Sequence, residues 1–272
     1  MKISKMLIGG FLILAAILIM VPFIWMVASS FKMNADIFTA HPTVLIRHFY
    51  YENYVKLLRE TSFVRWFLNT IGVASGTTII GAFVCSMAGF AFAKYKFRGK
   101  EVLFSFILAS VMVPQIVTAI PAFALMINIH WINTYQALIL PLTADAFGVF
   151  FMRTYISTVP GELLDAARMD GAHELIIFFR IVIPIVRPAI GALAVFLFLN
   201  QWIQYLWPLV IVQTSTMFTL TLGLAALYAD VYTVDYGMLM AGAVLATLPM
   251  IAFFVLTQKQ FVVGLTQGAI KE

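Results

Sequence analysis

Long apolar runs, uncharged except for Asp145, alternate with charged segments along this chain. Each run reaches the length that suggests a spanning helix, about 18 residues or more. No alternation of apolar and polar residues continues far enough to predict the strands of a membrane barrel. The pattern predicts an all-α membrane protein with six transmembrane helices, at about 6–30, 66–93, 102–129, 135–152, 188–212 and 236–258.

The composition agrees with a bilayer environment. Hydrophobic residues make up 62% of the 272 residues and charged residues only 11%, against about a quarter charged in ordinary soluble domains. No linker rich in Pro, Gly or Ser divides the chain, so we expect a single transmembrane domain over residues 1–272. The first run is longer than a signal-peptide core, which predicts a retained span. Pro114 and Pro121 predict a kink or break in the third span.

The distribution of basic residues predicts the orientation. Of the 17 Lys and Arg, twelve lie near the termini and in the segments 94–101 and 153–187: Lys2, Lys5, Lys94, Lys96, Arg98, Lys100, Arg153, Arg168, Arg180, Arg187, Lys259 and Lys271. The other five lie in the segment 32–65: Lys32, Arg47, Lys56, Arg59 and Arg65. The positive-inside rule then predicts that both termini and the 153–187 loop are cytoplasmic.

The loop at about 153–187 contains a pattern typical of a short amphipathic helix. Pro160 suits a first helical turn and Gly171 a helix end, which predicts a helix over about 160–170. A second helical stretch from His173 is expected to end before Pro184. A helical wheel separates two sides of the first helix: Glu162, Asp165 and Arg168 on one, and Leu163, Ala166 and Ala167 on the other.

Two interpretations of this helix remain open. A helix lying on lipid headgroups usually presents Lys and Arg beside a bulky apolar face. This helix presents mostly acidic residues, with two alanines on its apolar side. Small residues permit close backbone approach, which favours docking into a groove on another protein.

The same loop resembles the EAA loop of bacterial ABC importer permeases, whose pattern is E-A-A, three residues, Gly, nine residues and I-x-L-P. The matching positions are Asp165, Ala166, Ala167, Gly171, Ile181, Ile183 and Pro184. Asp stands in place of the usual Glu and Ile in place of Leu, which keeps the charge and the apolar character.

The resemblance extends over nearly the whole chain to the carbohydrate-uptake class, in particular to the G-type permease subunit of maltose-like importers. Its marks are PFIWMVASSFK at 22–32, ENY at 52–54, AFAKYKFRGK at 91–100, ALILP at 137–141, LWPL at 206–209 and GLTQGAIK at 264–271. It implies a type I ABC importer permease fold, with the EAA loop as a cytoplasmic coupling helix between spans four and five. The membrane it implies is the bacterial or archaeal cytoplasmic (inner) membrane.

The resemblance also implies that transport and ATP hydrolysis are carried out by different chains of one complex. It implies a second, F-type permease subunit, an ABC ATPase dimer that binds ATP and Mg²⁺, and an extracytoplasmic solute-binding protein that delivers a sugar. It implies an ATPase-coupling role for Glu162, Asp165, Ala166, Ala167, Arg168, Asp170 and Gly171. The chain itself contains no G-x-x-x-x-G-K-[ST] motif. We therefore expect a transport subunit without enzymatic activity or a cofactor of its own.

Polar residues inside the spans are further candidates. Asp145 lies within span four, where it would face the translocation path, act as a proton site, or form structural hydrogen bonds. Asn200, Gln201 and Gln204 in span five could hydrogen-bond sugar hydroxyls on a translocation path or bond to neighbouring helices. The family often has W-N-D-F here, and this chain differs from it, so no substrate contact is carried over.

Other features have simpler explanations. Gly72 and Gly76 form a G-x-x-x-G pair, which is typical of close helix packing. The single Cys85 excludes an intrachain disulfide and a multi-cysteine metal site. The four histidines lack metal-ligand spacing: His41, His48, His130 and His173. We expect contact with lipids and no nucleic acid.

The sequence therefore predicts a permease subunit of an ATP-driven importer, with a sugar or oligosaccharide as the solute. An importer of the same architecture for glycerol phosphate or another small polar solute is the nearer alternative. A secondary transporter or channel is the remoter one, because it would require ion-coupling residues in the spans.

Overall fold

The computed structural model describes residues 2–39, 43–46, 48–228 and 234–267, with side chains described between residues 8 and 257 of these ranges. His41, Arg47 and Lys271 lie outside the described residues, as does the end of the GLTQGAIK segment. The described ranges contain no strand, in agreement with the predicted helical class.

The α-helices of the described residues are α1 (Lys2–Ser30), α2 (Asn34–Ile37), α3 (Glu52–Glu60), α4 (Phe63–Lys94), α5 (Lys100–Ser110), α6 (Gln115–Asn128), α7 (Tyr135–Ile139), α8 (Ala146–Ser157), α9 (Gly161–Met169), α10 (Glu174–Ile177), α11 (Ile183–Ile185), α12 (Arg187–Trp202), α13 (Leu206–Ile211), α14 (Leu220–Leu227) and α15 (Tyr236–Gln267). Leu140–Leu142 and Ser215–Met217 are 3₁₀ turns, and Phe178–Val182 is a π-helical turn.

Among the described residues, three helices are long and apolar enough to cross a membrane unaided: α1, α4 and α15. Three more spans result if each of three bent pairs counts as one. The pairs are α5 with α6 at 104°, Tyr135–Leu142 with α8 at 44°, and Glu174–Ile185 with α12 at 82°. The fold therefore provides up to six spans, half of them broken.

The break in span three lies at the first of its two prolines. α5 ends at Ser110, and Pro114 directly precedes α6 with extended backbone (ψ 134°). Pro121 lies inside α6 without ending it. The sequence-based prediction of a break is therefore confirmed at Pro114.

Span four is not the uninterrupted helix that we predicted over 135–152. Pro141 lies in the 3₁₀ turn after α7, and the chain then leaves the helix until Ala146. α8 continues to Ser157, five residues further than expected. Proline cannot donate a helical hydrogen bond, so the helix restarts after it.

Span five differs from its predicted range of 188–212. α12 ends at Trp202, and α13 begins at Leu206 after a short non-helical stretch. A continuous helix would place Pro208 in its interior, where the ring would clash with the carbonyl of Gln204. The break moves Pro208 into the first turn of a new helix, where proline is tolerated.

The second helical stretch of the loop continues past Pro184, contrary to our expectation. Helical structure runs from Glu174 to Ile185 and bends only at Val186. The π-helical turn Phe178–Val182 ends two residues before this proline. Its wider winding relieves the clash between the proline ring and the preceding turn.

α4 is the central helix of the molecule. It is the most buried of the long helices, whereas α1 and α15 are mostly exposed. Near its C-terminus it packs in a core cluster with α8, α9 and α12, through residues such as Phe90, Met152, Leu164 and Leu193. Near its N-terminus Phe63 and Trp66 pack with Trp202 and Leu220 in a second cluster.

Candidate functional site

The short helix predicted in the 153–187 loop is α9. Pro160 precedes its first residue with extended backbone, and Gly171 follows its end with φ 79°. That left-handed conformation is costly for residues with a Cβ, so glycine fits this turn. The sequence therefore located both ends of α9 to within about one residue, inside the usual uncertainty of helix boundaries.

The buried face of α9 differs from the predicted one. Leu164 is only 1% exposed in the core, and Ala167 is half-buried against the same cluster. Leu163 and Met169 are 47% and 87% exposed, and Ala166 is exposed with them. The helical wheel grouped Leu163 and Ala166 with Ala167, but contact with the core through Leu164 turns the first two outward.

Arg168 connects α9 to the next helix. Its guanidinium donates to Asp165 at 2.8 Å and to Glu174 at 2.8 and 3.3 Å. These carboxylates raise the pKa of Arg168 above its usual value, with the hydrogen bond to Glu174 as the largest cause. Asp165 therefore has a charged partner within its own chain.

Tyr95 extends this network to the end of α4. Its hydroxyl donates to Glu174 at 2.5 Å. Burial, and then the hydrogen bond to Glu174, raise the pKa of Tyr95 to about 12. Sequence analysis missed both residues, because a helical wheel compares positions only within one helix.

The remaining residues predicted to couple to an ATPase lie around α9. Glu162 and Asp170 are exposed at its two ends. Gly171 has open space around it, so a side chain there would be strained by the backbone conformation and not by a clash. The structure thus brings all seven predicted residues onto one helix and its C-terminal turn.

The predicted path residues of span five do not share one environment. Asn200 is exposed and donates to the carbonyl of Phe196 in its own helix, whereas Gln201 is buried. Gln204 lies in the break after α12, and its amide contacts the Gln115 side-chain oxygen at 3.5 Å. Because Gln115 follows the break in span three, this contact joins two interrupted spans.

Asp145 precedes α8 at the break in span four. Its carboxylate accepts a hydrogen bond from the backbone N–H of Gly148 at 2.6 Å, which is an N-cap. A cap satisfies one of the backbone donors that a helix start leaves free. The sequence placed Asp145 in the middle of a continuous span, and the break explains the difference.

These features together define a class of protein. Interrupted apolar helices surround a central span, polar amides lie at the breaks, and a short amphipathic helix is exposed on one side of the bundle. Broken spans of this kind occur in membrane transport proteins. No group of His, Cys, Asp and Glu among the described residues could hold a metal ion.

The chain belongs to the family of binding-protein-dependent transport system inner membrane components, whose model matches residues 81–262. It is a permease subunit of an ATP-binding-cassette importer. Members of this family are transport components.

Relatives match most of the chain. The permease AraQ of an arabinooligosaccharide transport system in Bacillus subtilis is 40% identical over 81% of this chain and 79% of its own length. The permease LacG of a lactose transport system in Rhizobium radiobacter is 36% identical over 95% of this chain and 93% of its own length. The permease MalG of a trehalose/maltose transport system in Thermococcus litoralis is 31% identical over 100% of this chain and 98% of its own length.

A solved structure shares the fold. A chain of a bacterial ABC transporter involved in the import of the acidic polysaccharide alginate superposes with a TM-score of 0.85 and 20% identity. The match covers 96% of this chain and 97% of that one. The fold predicted from the sequence is thereby confirmed.

Proposed function

We propose that this chain forms half of the translocation path for a sugar or oligosaccharide, and that α9 is the coupling helix that docks onto a separate ATPase dimer. The observation that carries the proposal is the outward face of α9, where Leu163, Ala166 and Met169 are exposed beside acidic residues. A short exposed helix of this kind fits a groove on a partner protein.

The partners follow from the same proposal. The ATPase dimer binds and hydrolyses ATP with Mg²⁺ on the cytoplasmic side, a second permease subunit completes the path, and a binding protein delivers the solute outside. The basic residues of the 94–101 and 153–187 segments support the placement of α9 and both termini in the cytoplasm. The sugars in the names of the three relatives support a carbohydrate as the solute.

We further propose that the path passes the breaks in spans three and five. Gln115 and Gln204 meet there, and their amides offer both donors and acceptors to hydroxyl groups. The Nε2 of Gln201 is buried without a partner, and Asn200 is exposed on the same helix. Asp145 has a structural role in this proposal, as the cap of α8.

Docking of α9 is tested with a charge placed on its outward face. We expect Met169→Asp, in the complete transporter, to weaken association with the ATPase by about tenfold or more, because a large apolar contact at an interface centre is lost. The measurement is co-purification of the ATPase and its concentration dependence.

Met33→Asp is the matched control, since Met33 is also exposed but lies in the 32–65 segment. It should leave ATPase association unchanged. Unchanged association with Met169→Asp would contradict docking through α9.

The solute class is tested by measuring uptake of labelled arabinooligosaccharide, lactose and glycerol phosphate by the same transporter. Uptake of glycerol phosphate alone would contradict a sugar as the solute.

A further inference from the structure

The C-terminal end of α4 contacts the chain on both sides of α9. Lys94, the last residue of α4, donates to the carbonyls of Ser157 at 3.2 Å and Val159 at 2.5 Å. The next residue, Tyr95, donates to Glu174. Two adjacent residues therefore hold the entry to α9 and the helix that follows it.

The contact of Lys94 fixes the entry. The last backbone carbonyls of a helix have no hydrogen-bond partner within that helix. A nearby lysine ammonium can donate hydrogen bonds to these carbonyls. Ser157 is the last residue of α8, and Val159 comes directly before the Pro160 that precedes α9. Val159 is buried in the core cluster beside Leu164, so the chain enters α9 from a fixed position.

The contact of Tyr95 fixes the exit. Glu174 accepts from Tyr95 and from two nitrogens of Arg168, which lies in the last turn of α9. Hydrogen bonds to a charged group are stronger than neutral ones. The ring of Tyr95 also packs edge-on against Phe90 of α4, with the centroids 5.3 Å apart. This network adds to the core packing of Leu164 in opposing rotation about the turn at Gly171.

The other end of α4 holds a second exposed segment. The indole N–H of Trp66 donates to the carbonyl of Ser215 at 2.8 Å. The amide of Asn69 donates to the carbonyls of Thr216 and Phe218, each at 2.9 Å. α4 has no break over its 32 residues, which at 1.5 Å per residue is about 48 Å.

We propose that α4 transmits movement of the coupling helix α9 across this permease. Lys94 and Tyr95 are positioning residues that tie α9 to α4. When α9 is displaced, α4 carries that displacement to the 215–218 segment on the opposite face. The inference rests on the proposed docking of α9. An unbroken helix attached at both ends transmits displacement, whereas the interrupted spans beside it have non-helical joints.

The test uses the complete transporter with its ATPase, in a Cys85→Ser background. A fluorophore is attached to a cysteine at Ser215, whose side chain is exposed, and MgATP is added on the ATPase side. We expect the fluorescence to change in the otherwise unsubstituted protein. In the double variant that combines Lys94→Met and Tyr95→Phe, the fluorescence change on adding MgATP should be smaller by about fivefold or more. The ATPase should stay associated with this variant.

Three further variants complete the design. Lys96→Met makes the same substitution at a neighbouring exposed lysine and should leave the signal unchanged. Lys94→Arg, with Tyr95 unchanged, retains donors for the two carbonyls and should keep most of the signal of the unsubstituted protein. Tyr95→Phe alone removes one hydroxyl and keeps the ring contact with Phe90, so it remains informative if the double variant does not fold.

The outcomes separate the two proposals. If the ATPase does not associate with the unsubstituted permease, the proposed coupling function fails. If it associates and the double variant responds to MgATP as strongly as the unsubstituted protein, the transmission role of α4 is overturned. An unsubstituted protein that binds ATPase but gives no signal at position 215 also overturns it.

Discussion

Glycines along α4 differ in what surrounds them, although all occur in one helix. Gly89 approaches α8 so closely that an added Cβ would lie 2.6 Å from the Cβ of Met152 and 2.8 Å from the backbone nitrogen of Arg153. Around Gly72 there is nothing within 4 Å, and at Gly76 a Cβ would meet only the Ile139 side chain. Of these three glycines, only Gly89 approaches the backbone of another helix, whereas Gly76 meets a side chain at 3.1 Å and Gly72 has no neighbour.

Alanine at these two positions gives a matched comparison. We expect Gly89→Ala to destabilise the protein by about 1–3 kcal/mol, because the backbone of α8 must move away. Gly72→Ala should be neutral or slightly stabilising, since alanine favours a helix by about 1 kcal/mol over glycine. Thermal unfolding of the detergent-purified protein measures both. Equal unfolding temperatures would contradict the close contact between α4 and α8.

Helix breaks are the main feature at the scale of the elements. Prolines account for where regular hydrogen bonding fails, and in span four capping side chains satisfy the starts of both helices. Thr134 caps α7 and Asp145 caps α8, each by accepting a backbone N–H three residues ahead. At the break between α12 and α13, the amide of Gln204 instead reaches Gln115 in span three. Asp145, Gln115 and Gln204 thus lie at breaks in the spans.

The role of Asp145 is tested by two substitutions. Asparagine caps a helix about as well as aspartate, so we expect Asp145→Asn to keep both stability and uptake. Asp145→Ala should cost about 0.5–2 kcal/mol of stability, because the Gly148 N–H loses its acceptor. Thermal unfolding and uptake are measured for both. Loss of uptake in a stably folded Asp145→Asn protein would favour a proton-coupling role.

Among the three long helices of the described residues only α4 is well buried, and much of the apolar surface of the molecule is exposed. α4 packs against helices on several sides, while α1 and α15 expose most of their apolar residues. Such surfaces fit lipid tails or the second permease subunit that we propose. The charged segments lie at opposite ends of α4, with Arg65 near its start and Lys94 at its end.

Orientation in the membrane is tested with single cysteines. In a Cys85→Ser background, Arg59→Cys should react with an impermeant thiol reagent added to intact cells. Lys96→Cys should react only after the cells are permeabilised, because the positive-inside rule places the 94–101 segment in the cytoplasm. Both original residues are basic and exposed. Labelling of both from outside would contradict the six-span topology.

The sequence alone determined the properties that depend on local pattern and composition. Apolar runs predicted the helical membrane class, because only about 18 or more such residues span a bilayer. Pro160 and Gly171 located α9, since backbone preferences act over a few residues. The EAA pattern identified the family, which residues 81–262 confirm.

Only the tertiary structure decided which groups meet. Leu164 sets the buried face of α9, and Tyr95 reaches Glu174 from 79 positions away in the chain. The contact between Gln115 and Gln204 likewise depends on how two breaks are placed in space. Periodicity within one helix contains no information about the neighbouring helix, so these contacts arise only when the bundle has packed.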